Sequence, residues 1–196
     1  MKEIIVYLID INRTDVDSLF HSEFFSNEER QSFDKYTHEG VKKEKIVSTY
    51  LKNKYIKDYY VDENGKPLAK DKYFNISHSH GLVALVIDTV PVGIDVELIR
   101  KYDEKLQSFI SSNEEKEYIS DDKSFFEIWT NKEALVKAFG LGLREDVKKI
   151  PSLPINGRRE YHGHHYLNKT FYYQDYVLTI SRESGEEYQI VIGLPQ

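Results

Sequence analysis

The sequence has 196 residues with a formal net charge of −6, and 40% of its residues are hydrophobic. This composition is ordinary for a globular chain, and no run approaches the roughly 18 consecutive apolar residues of a membrane-spanning helix. The negative net charge disfavours a nucleic acid partner. The sequence contains no cysteine, which excludes disulfides and thiolate metal sites and agrees with a cytoplasmic location.

The first half of the chain predicts strands around a helical segment. The apolar run at 3–11 is short and β-rich, so it predicts a strand, and apolar residues three or four apart between 26 and 60 predict one or two amphipathic helices. Asn-Gly and Pro make residues 62–67 a predicted turn. Two strand-like runs follow, at 73–77 and 82–88.

The second half repeats this order of elements. It predicts one strand, two helical segments and three further strands, near residues 93–99, 103–120, 123–139, 169–174, 176–182 and 187–193. Each half therefore combines strands with a helical layer. This repetition predicts an α+β fold with two similar lobes, residues 1–91 and 92–196.

The stretch GIDVELI, residues 93–99, carries apolar and acidic side chains in alternation. Alternation with a period of two assigns its side chains to two faces: Ile94, Val96 and Leu98 on one, Gly93, Asp95 and Glu97 on the other. Taken alone, the pattern favours a half-buried strand with a solvated acidic face. The two adjacent carboxylates would repel each other, however, and a hard divalent cation would relieve that repulsion.

The stretch FFEIWTNKEALVKAFGLGL, residues 125–143, predicts a helix that ends at its glycines. A spacing of four residues aligns Trp129, Glu133 and Lys137 along one side, and Lys132 is adjacent. One interpretation is a surface ion pair beside a core tryptophan. The other is a third metal ligand flanked by phosphate-binding cations.

A third stretch combines GKP at 65–67 with FNISHSHG at 74–81. Ser77, His78 and Ser79 fall where a strand ends, and hydroxyl, imidazole and backbone N–H groups together suit a phosphate pocket. A solvated turn lysine and a structural histidine are the competing interpretation.

These motifs occur together in the order and approximate spacing of one known family. The chain resembles the 4'-phosphopantetheinyl transferases of the larger, surfactin-synthetase-activating type. Its last motif matches the family pattern W-x-x-K-E-[AS]-x-x-K-x-x-G-x-G-L at every fixed position. The resemblance is strong over about residues 60–145 and extends to the remainder only in layout.

The resemblance implies an enzyme that moves the phosphopantetheine arm of coenzyme A onto a serine of an acyl or peptidyl carrier protein. Adenosine 3',5'-bisphosphate is the implied second product. It also implies a monomer whose ligand lies in the cleft between the two lobes. Which carrier protein is modified is left open, because fatty acid, polyketide and peptide synthases all use the same arm.

The resemblance also implies roles for acidic and basic residues. Asp95, Glu97 and Glu133 are the implied ligands of a Mg²⁺ that also holds the coenzyme A diphosphate. Lys137 is implied to contact the diphosphate and to assist removal of the serine proton. Glu133, a metal-bound water and Glu114 are alternative candidates for the general base.

The same resemblance implies contacts with the phosphates of coenzyme A. His78, together with Ser77, corresponds to the contact with the 3'-phosphate. Lys66 corresponds to an adjacent phosphate-binding lysine, and Lys132 has a supporting role.

The first helix departs from the family pattern. Family members often carry further basic residues there, whereas this chain has Glu29 and Ser32 at the equivalent positions. Arg30, Lys43 or Lys45 are the candidates to replace them. The sequence therefore predicts weaker affinity for the 3'-phosphate than is usual in the family.

Three other functions compete with this interpretation. A zinc site could use His162, His164 and His165 of HGHH, although this polar segment predicts a solvated loop. A binding module could dock an acidic partner on the lysine-rich segment 42–57. A Mg²⁺-dependent phosphohydrolase could use the same three carboxylates, with water as the nucleophile.

Overall fold

The computed structural model describes residues 1–61, 67–140, 142 and 146–194, and the chain is a mixed α/β protein as predicted. The strands are β1 Lys2–Asp10, β2 Tyr59–Val61, β3 Pro67–Ala69, β4 Tyr73–Ser79, β5 Leu82–Asp88, β6 Val92–Leu98, β7 Gly157–Tyr161, β8 His164–Tyr173, β9 Tyr176–Glu183 and β10 Tyr188–Gly193. The α-helices are α1 Val16–Phe20, α2 Asn27–Ser32, α3 Glu39–Tyr55, α4 Glu104–Ile110, α5 Asn113–Tyr118 and α6 Asp122–Phe139. Short 3₁₀ helices occupy Ile11–Arg13, Phe33–Lys35 and Val147–Lys149. Within these ranges, no helix is both long enough and apolar enough to cross a bilayer.

The strands form two four-stranded sheets and a short hairpin. The sheet orders are β10-β1-β5-β4 and β6-β9-β8-β7, and β2 pairs with β3. The β1–β10 pair is parallel, whereas the other pairs are antiparallel. The first sheet therefore takes its last strand from the C-terminal end of the chain. The division at residue 91 stays a prediction, and sheet membership does not follow it at β10.

The main core lies between the inner faces of the two sheets. Strand β6 contributes Ile94 and Val96, which are fully buried there, and Leu98 packs against the same cluster. This confirms the predicted apolar face of β6. Helix α3 covers the outer face of the first sheet, through residues such as Val47 and Leu51. Helix α6 packs on the outer side of the second sheet.

Some predicted elements differ from the observed ones. The predicted helix at 103–120 is two helices, because Ser112 caps a new helix in a capping box with Glu115. The predicted loop at 162–165 is a hairpin turn followed by the start of β8. The strand β7 was not predicted, since its alternation is hidden among charged side chains. Most of the predicted turn at 62–67 lies outside the described residues.

Helix α6 is fixed at both ends and along its length. Asp121 and Ser124 form a capping box at its start, and Gly140 ends it with a left-handed φ of 95°. In the C-terminal half of α6, the helix backbone lies directly against Gly93 of β6. A Cβ on Gly93 would lie 2.1 Å from the carbonyl oxygen of Ala134. The close approach of β6 and α6 therefore requires glycine at this position.

Candidate active site

Strands β4 and β6 and helix α6 line a cleft of about 360 Å³. The lining residues are Ile76, Ser77, His78, Asp95, Val96, Glu97, Trp129, Glu133 and Lys137. The cleft thus brings together the three predicted carboxylates with the predicted residues Ser77, His78 and Lys137.

Asp95 is the most buried carboxylate of the cleft, with only 4% of its surface exposed. Its Oδ1 accepts hydrogen bonds from Ser77 Oγ at 2.9 Å and from Lys137 Nζ at 2.5 Å. Its Oδ2 is buried and has no hydrogen-bond partner among the described residues. Burial raises the pKa of Asp95, although Lys137 acts in the opposite direction. The second oxygen is therefore available to a ligand that supplies positive charge.

Glu97 repeats the arrangement of Asp95 two residues further along β6. Its Oε2 accepts a hydrogen bond from Ser79 Oγ at 2.9 Å, as Asp95 does from Ser77. Arg100 Nη1 lies 3.2 Å from the same oxygen. The two serines of β4 therefore hold the two carboxylates of β6 at the edge of the cleft.

Glu133 is placed beside these carboxylates by α6. Burial, followed by the charges of Asp95 and Glu97, raises the pKa of Glu133 to about 7, and Lys137 partly opposes this shift. The ammonium of Lys137 contacts Asp95 and Ser77. The predicted alignment of Glu133 and Lys137 on one side of the helix is confirmed, because both line the cleft.

The donor set of the cleft fits a hard divalent cation such as Mg²⁺, which binds carboxylate oxygens. The buried Oδ2 of Asp95 has no donor among the described residues, and burial, followed by the charges of Asp95 and Glu97, raises the pKa of Glu133 to about 7. In the described part of the chain, no three His, Cys, Asp or Glu side chains already converge as a ready-made metal site. The ammonium of Lys137 instead holds one oxygen of Asp95.

His78 lies at the edge of the cleft, with its side chain on the face of β4 opposite to that of Ser77 and Ser79. Its Nδ1 lies 3.0 Å from Glu44 Oε2 on α3. Burial lowers the pKa of His78, the charge of Glu44 raises it, and the charges of Lys45 and Lys137 lower it further. Ser77 faces Asp95 instead. No sequence pattern distinguishes Glu44, since it stands among other charged residues at the start of α3.

Two of the basic candidates, Arg30 on α2 and Lys43 on α3, have other partners. Arg30 donates to the backbone carbonyls of Phe20 at 3.1 Å and Ser22 at 2.8 Å. Lys43 lies 3.7 Å from Glu39. Of these candidates, Lys45 is the one whose charge acts on the pKa of His78, which it lowers. Lys66 lies outside the described residues.

Two predicted site residues do not line the cleft. Glu114 is exposed on α5. Lys132 is fully buried on the other side of α6, where its ammonium lies 2.8 Å from Glu115 Oε1 and donates to the carbonyl of Val147 at 2.8 Å. Its assignment to coenzyme A binding is therefore corrected to a structural role, because a buried ammonium with these partners has no contact with the cleft.

Replacing Lys132 with Met tests this structural role. We expect the free energy of unfolding to fall by about 3–5 kcal/mol, because Glu115 would keep a buried charge without its partner. The double variant Lys132→Met/Glu115→Gln should recover part of that loss. Urea unfolding measures both, and a loss below about 1 kcal/mol in the single variant would contradict the buried pair.

The histidines of HGHH do not converge on one point. His164 Nδ1 pairs with Glu183 Oε1 at 2.7 Å, and the ring of His162 stacks on Phe139 with 4.9 Å between centroids. His165 follows His164 on a strand and so faces the opposite side. These placements favour no zinc site here.

Comparisons with known proteins agree with the motifs in the cleft. The sequence model of the 4'-phosphopantetheinyl transferase superfamily matches residues 91–192. The chain is 35% identical over 141 residues to 4'-phosphopantetheinyl transferase gsp of Aneurinibacillus migulanus. The aligned residues are 63% of this chain and 60% of that protein. The chain is 30% identical over 139 residues to 4'-phosphopantetheinyl transferase Sfp of Bacillus subtilis (strain 168), covering 61% and 62%.

A third relative is 4'-phosphopantetheinyl transferase psf-1 of Bacillus pumilus. It is 34% identical over 94 residues, which is 43% of this chain and 40% of that protein. The chain therefore matches between 40% and 62% of the length of these curated relatives.

Proposed function

The chain belongs to the 4'-phosphopantetheinyl transferase superfamily, and we propose that it catalyses phosphopantetheine transfer. The donor is coenzyme A, the acceptor is a serine of an acyl or peptidyl carrier protein, and adenosine 3',5'-bisphosphate is released. One observation carries this proposal. The cleft gathers the carboxylates of β6 and α6 with Lys137 and His78, and the family motifs contain these residues.

Asp95, Glu97 and Glu133 would hold the Mg²⁺ that this family uses. When bound, Mg²⁺ neutralises charge on the diphosphate of coenzyme A. The buried, unpartnered oxygen of Asp95 supports this assignment, since it is an acceptor without a donor among the described residues.

The chain's own side chains would bind and deprotonate the reactants. Lys137 is partly exposed in the cleft, so its ammonium can move from Asp95 to a diphosphate oxygen. The serine oxygen attacks the phosphorus that carries the pantetheine arm. The bond from that phosphorus to the bridging oxygen breaks, and the bridging oxygen leaves with the nucleotide.

We assign the serine proton to Glu133 among the candidate bases. Glu133 lines the cleft, whereas Glu114 is exposed on α5 away from the lining residues. A general base must come within hydrogen-bonding reach of the proton that it accepts. Glu114 therefore has no place in the proposed mechanism.

We also propose that the two lobes, residues 1–91 and 92–196, form a monomer in the cytoplasm with the active site between them. Strand β4 brings His78 from the first segment, and β6 and α6 bring the carboxylates from the second. Both sides of the cleft thus come from one chain.

Incubation with coenzyme A, Mg²⁺ and a panel of apo carrier proteins tests the function. We expect intact-mass spectrometry to show a carrier heavier by one phosphopantetheine group, and native mass spectrometry to show a monomeric enzyme. No gain on fatty acid, polyketide or peptide carriers would refute the transferase. Hydrolysis of coenzyme A without any carrier would favour a phosphohydrolase instead.

A further inference from the structure

Glu44 of α3 is a fixed acidic group beside the cleft. Its Oε2 lies 3.0 Å from His78 Nδ1, and its Oε1 accepts a hydrogen bond from the N–H of Gly81 at 3.2 Å. Gly81 is in the two-residue turn between β4 and β5, where His80 and Gly81 have φ values of 48° and 93°. Two partners on the same hairpin therefore hold both oxygens of the carboxylate.

The Glu44–His78 pair stands between two cavities. His78 lines the cleft already described, and Glu44 lines a neighbouring cavity of about 700 Å³ together with Asn12, Thr14 and His80. On the proposed transferase function, with the donor diphosphate at Lys137, the nucleoside end of the donor would extend past His78 and Glu44 into this cavity.

The charge at this position does not suit a phosphate. Apart from His38 and His80, the charged or titratable residues that line the second cavity are Glu39, Lys43 and Glu44, and Lys43 already pairs with Glu39. A phosphate group needs donors that carry positive charge, and an adjacent carboxylate repels it. A ribose hydroxyl, in contrast, donates a hydrogen bond to a carboxylate, as acidic residues do for nucleotide riboses elsewhere.

We propose that Glu44 is a specificity-determining residue that makes the site accept a donor without the 3'-phosphate. In this assignment, a free ribose hydroxyl donates to Glu44, and 3'-dephospho-coenzyme A serves about as well as coenzyme A. The bonds formed and broken are the same for both donors. The leaving product from 3'-dephospho-coenzyme A is adenosine 5'-monophosphate.

The test compares kcat/KM for the two donors with one apo carrier protein and Mg²⁺. For the unmodified chain we expect kcat/KM with coenzyme A to exceed kcat/KM with 3'-dephospho-coenzyme A by less than about tenfold. In Glu44→Gln the ratio should rise by about tenfold or more in favour of coenzyme A, because the charge that repels the phosphate is gone. Glu28→Gln is the matched control, since Glu28 is exposed on α2 and lines neither cavity, and it should leave the ratio unchanged.

A ratio above about tenfold in the unmodified chain, or a ratio that Glu44→Gln leaves unchanged, would overturn the inference. Transfer from neither donor would instead refute the proposed function, so the two failures are distinguishable. If circular dichroism shows that Glu44→Gln is unfolded, the ratio of kcat/KM for the two donors in the unmodified chain still tests the role of Glu44.

Discussion

We expect Glu133→Gln to lose phosphopantetheine transfer by more than about 100-fold, because mutation of partners that only support a metal ligand already costs 10- to 100-fold. Glu133 is one of three carboxylates in the cleft, and glutamine keeps its shape without its charge. The measurement is the rate of holo-carrier formation followed by intact mass.

The fold should survive this change. Burial and the neighbouring charges of Asp95 and Glu97 favour the neutral form of Glu133, and its pKa is raised to about 7. A raised acid pKa means that the ionised group costs stability once the pH exceeds its ordinary value of 4.5. Glutamine removes that cost, so the metal-free variant should unfold at neutral pH with an unchanged or higher free energy.

Glu127→Gln is the contrasting control on the same helix. Glu127 is buried, and its carboxylate accepts hydrogen bonds from the hydroxyls of Tyr118 and Tyr172. We expect this variant to lose about 1–3 kcal/mol of stability while it retains transfer, since Glu127 does not line the cleft. Retention of more than about a tenth of the activity in Glu133→Gln would contradict the assignment of Glu133.

The second large effect is expected for Gly93→Ala. The added Cβ would lie 2.1 Å from Ala134 O and 2.4 Å from Ala138 N, which are backbone atoms of α6. Backbone atoms cannot rotate away, so β6 and α6 must separate. We expect the free energy of unfolding to fall by about 3 kcal/mol or more, which is the upper end of the usual cost of overpacking a core site.

Transfer should fall in the same variant, because Glu133 and Lys137 are carried by α6 whereas Asp95 is carried by β6. Gly185→Ala is the control, since nothing lies within 4 Å of the Cβ it would add. Its stability should stay within about 0.5 kcal/mol of the unmodified chain. Urea unfolding measures both variants, and unchanged stability of Gly93→Ala would contradict the close contact.

Much of the fold is predictable from local pattern. Strand β6 was predicted with its apolar face, and Ile94 and Val96 are buried in the core. The periodicity of residues 103–120 does not show the break between α4 and α5, although Ser112 and Glu115 carry a capping signal. Neither strand β7 nor the parallel pairing of β10 with β1 follows from the local pattern. Such pairings join residues far apart in sequence, and local periodicity contains no information on them.

In the candidate site, too, some features follow from local sequence periodicity and others follow only from tertiary packing. Local periodicity is enough to align Glu133 with Lys137 on one side of α6 and Asp95 with Glu97 on one face of β6, because helical and strand periods are local properties. The partners of each charge, in contrast, follow from tertiary packing. It buries Lys132 against Glu115, turns Lys137 onto Asp95 and sets Glu44 beside His78. Those pairs depend on how sheets and helices pack, and the desolvation that accompanies packing determines which charges must be paired.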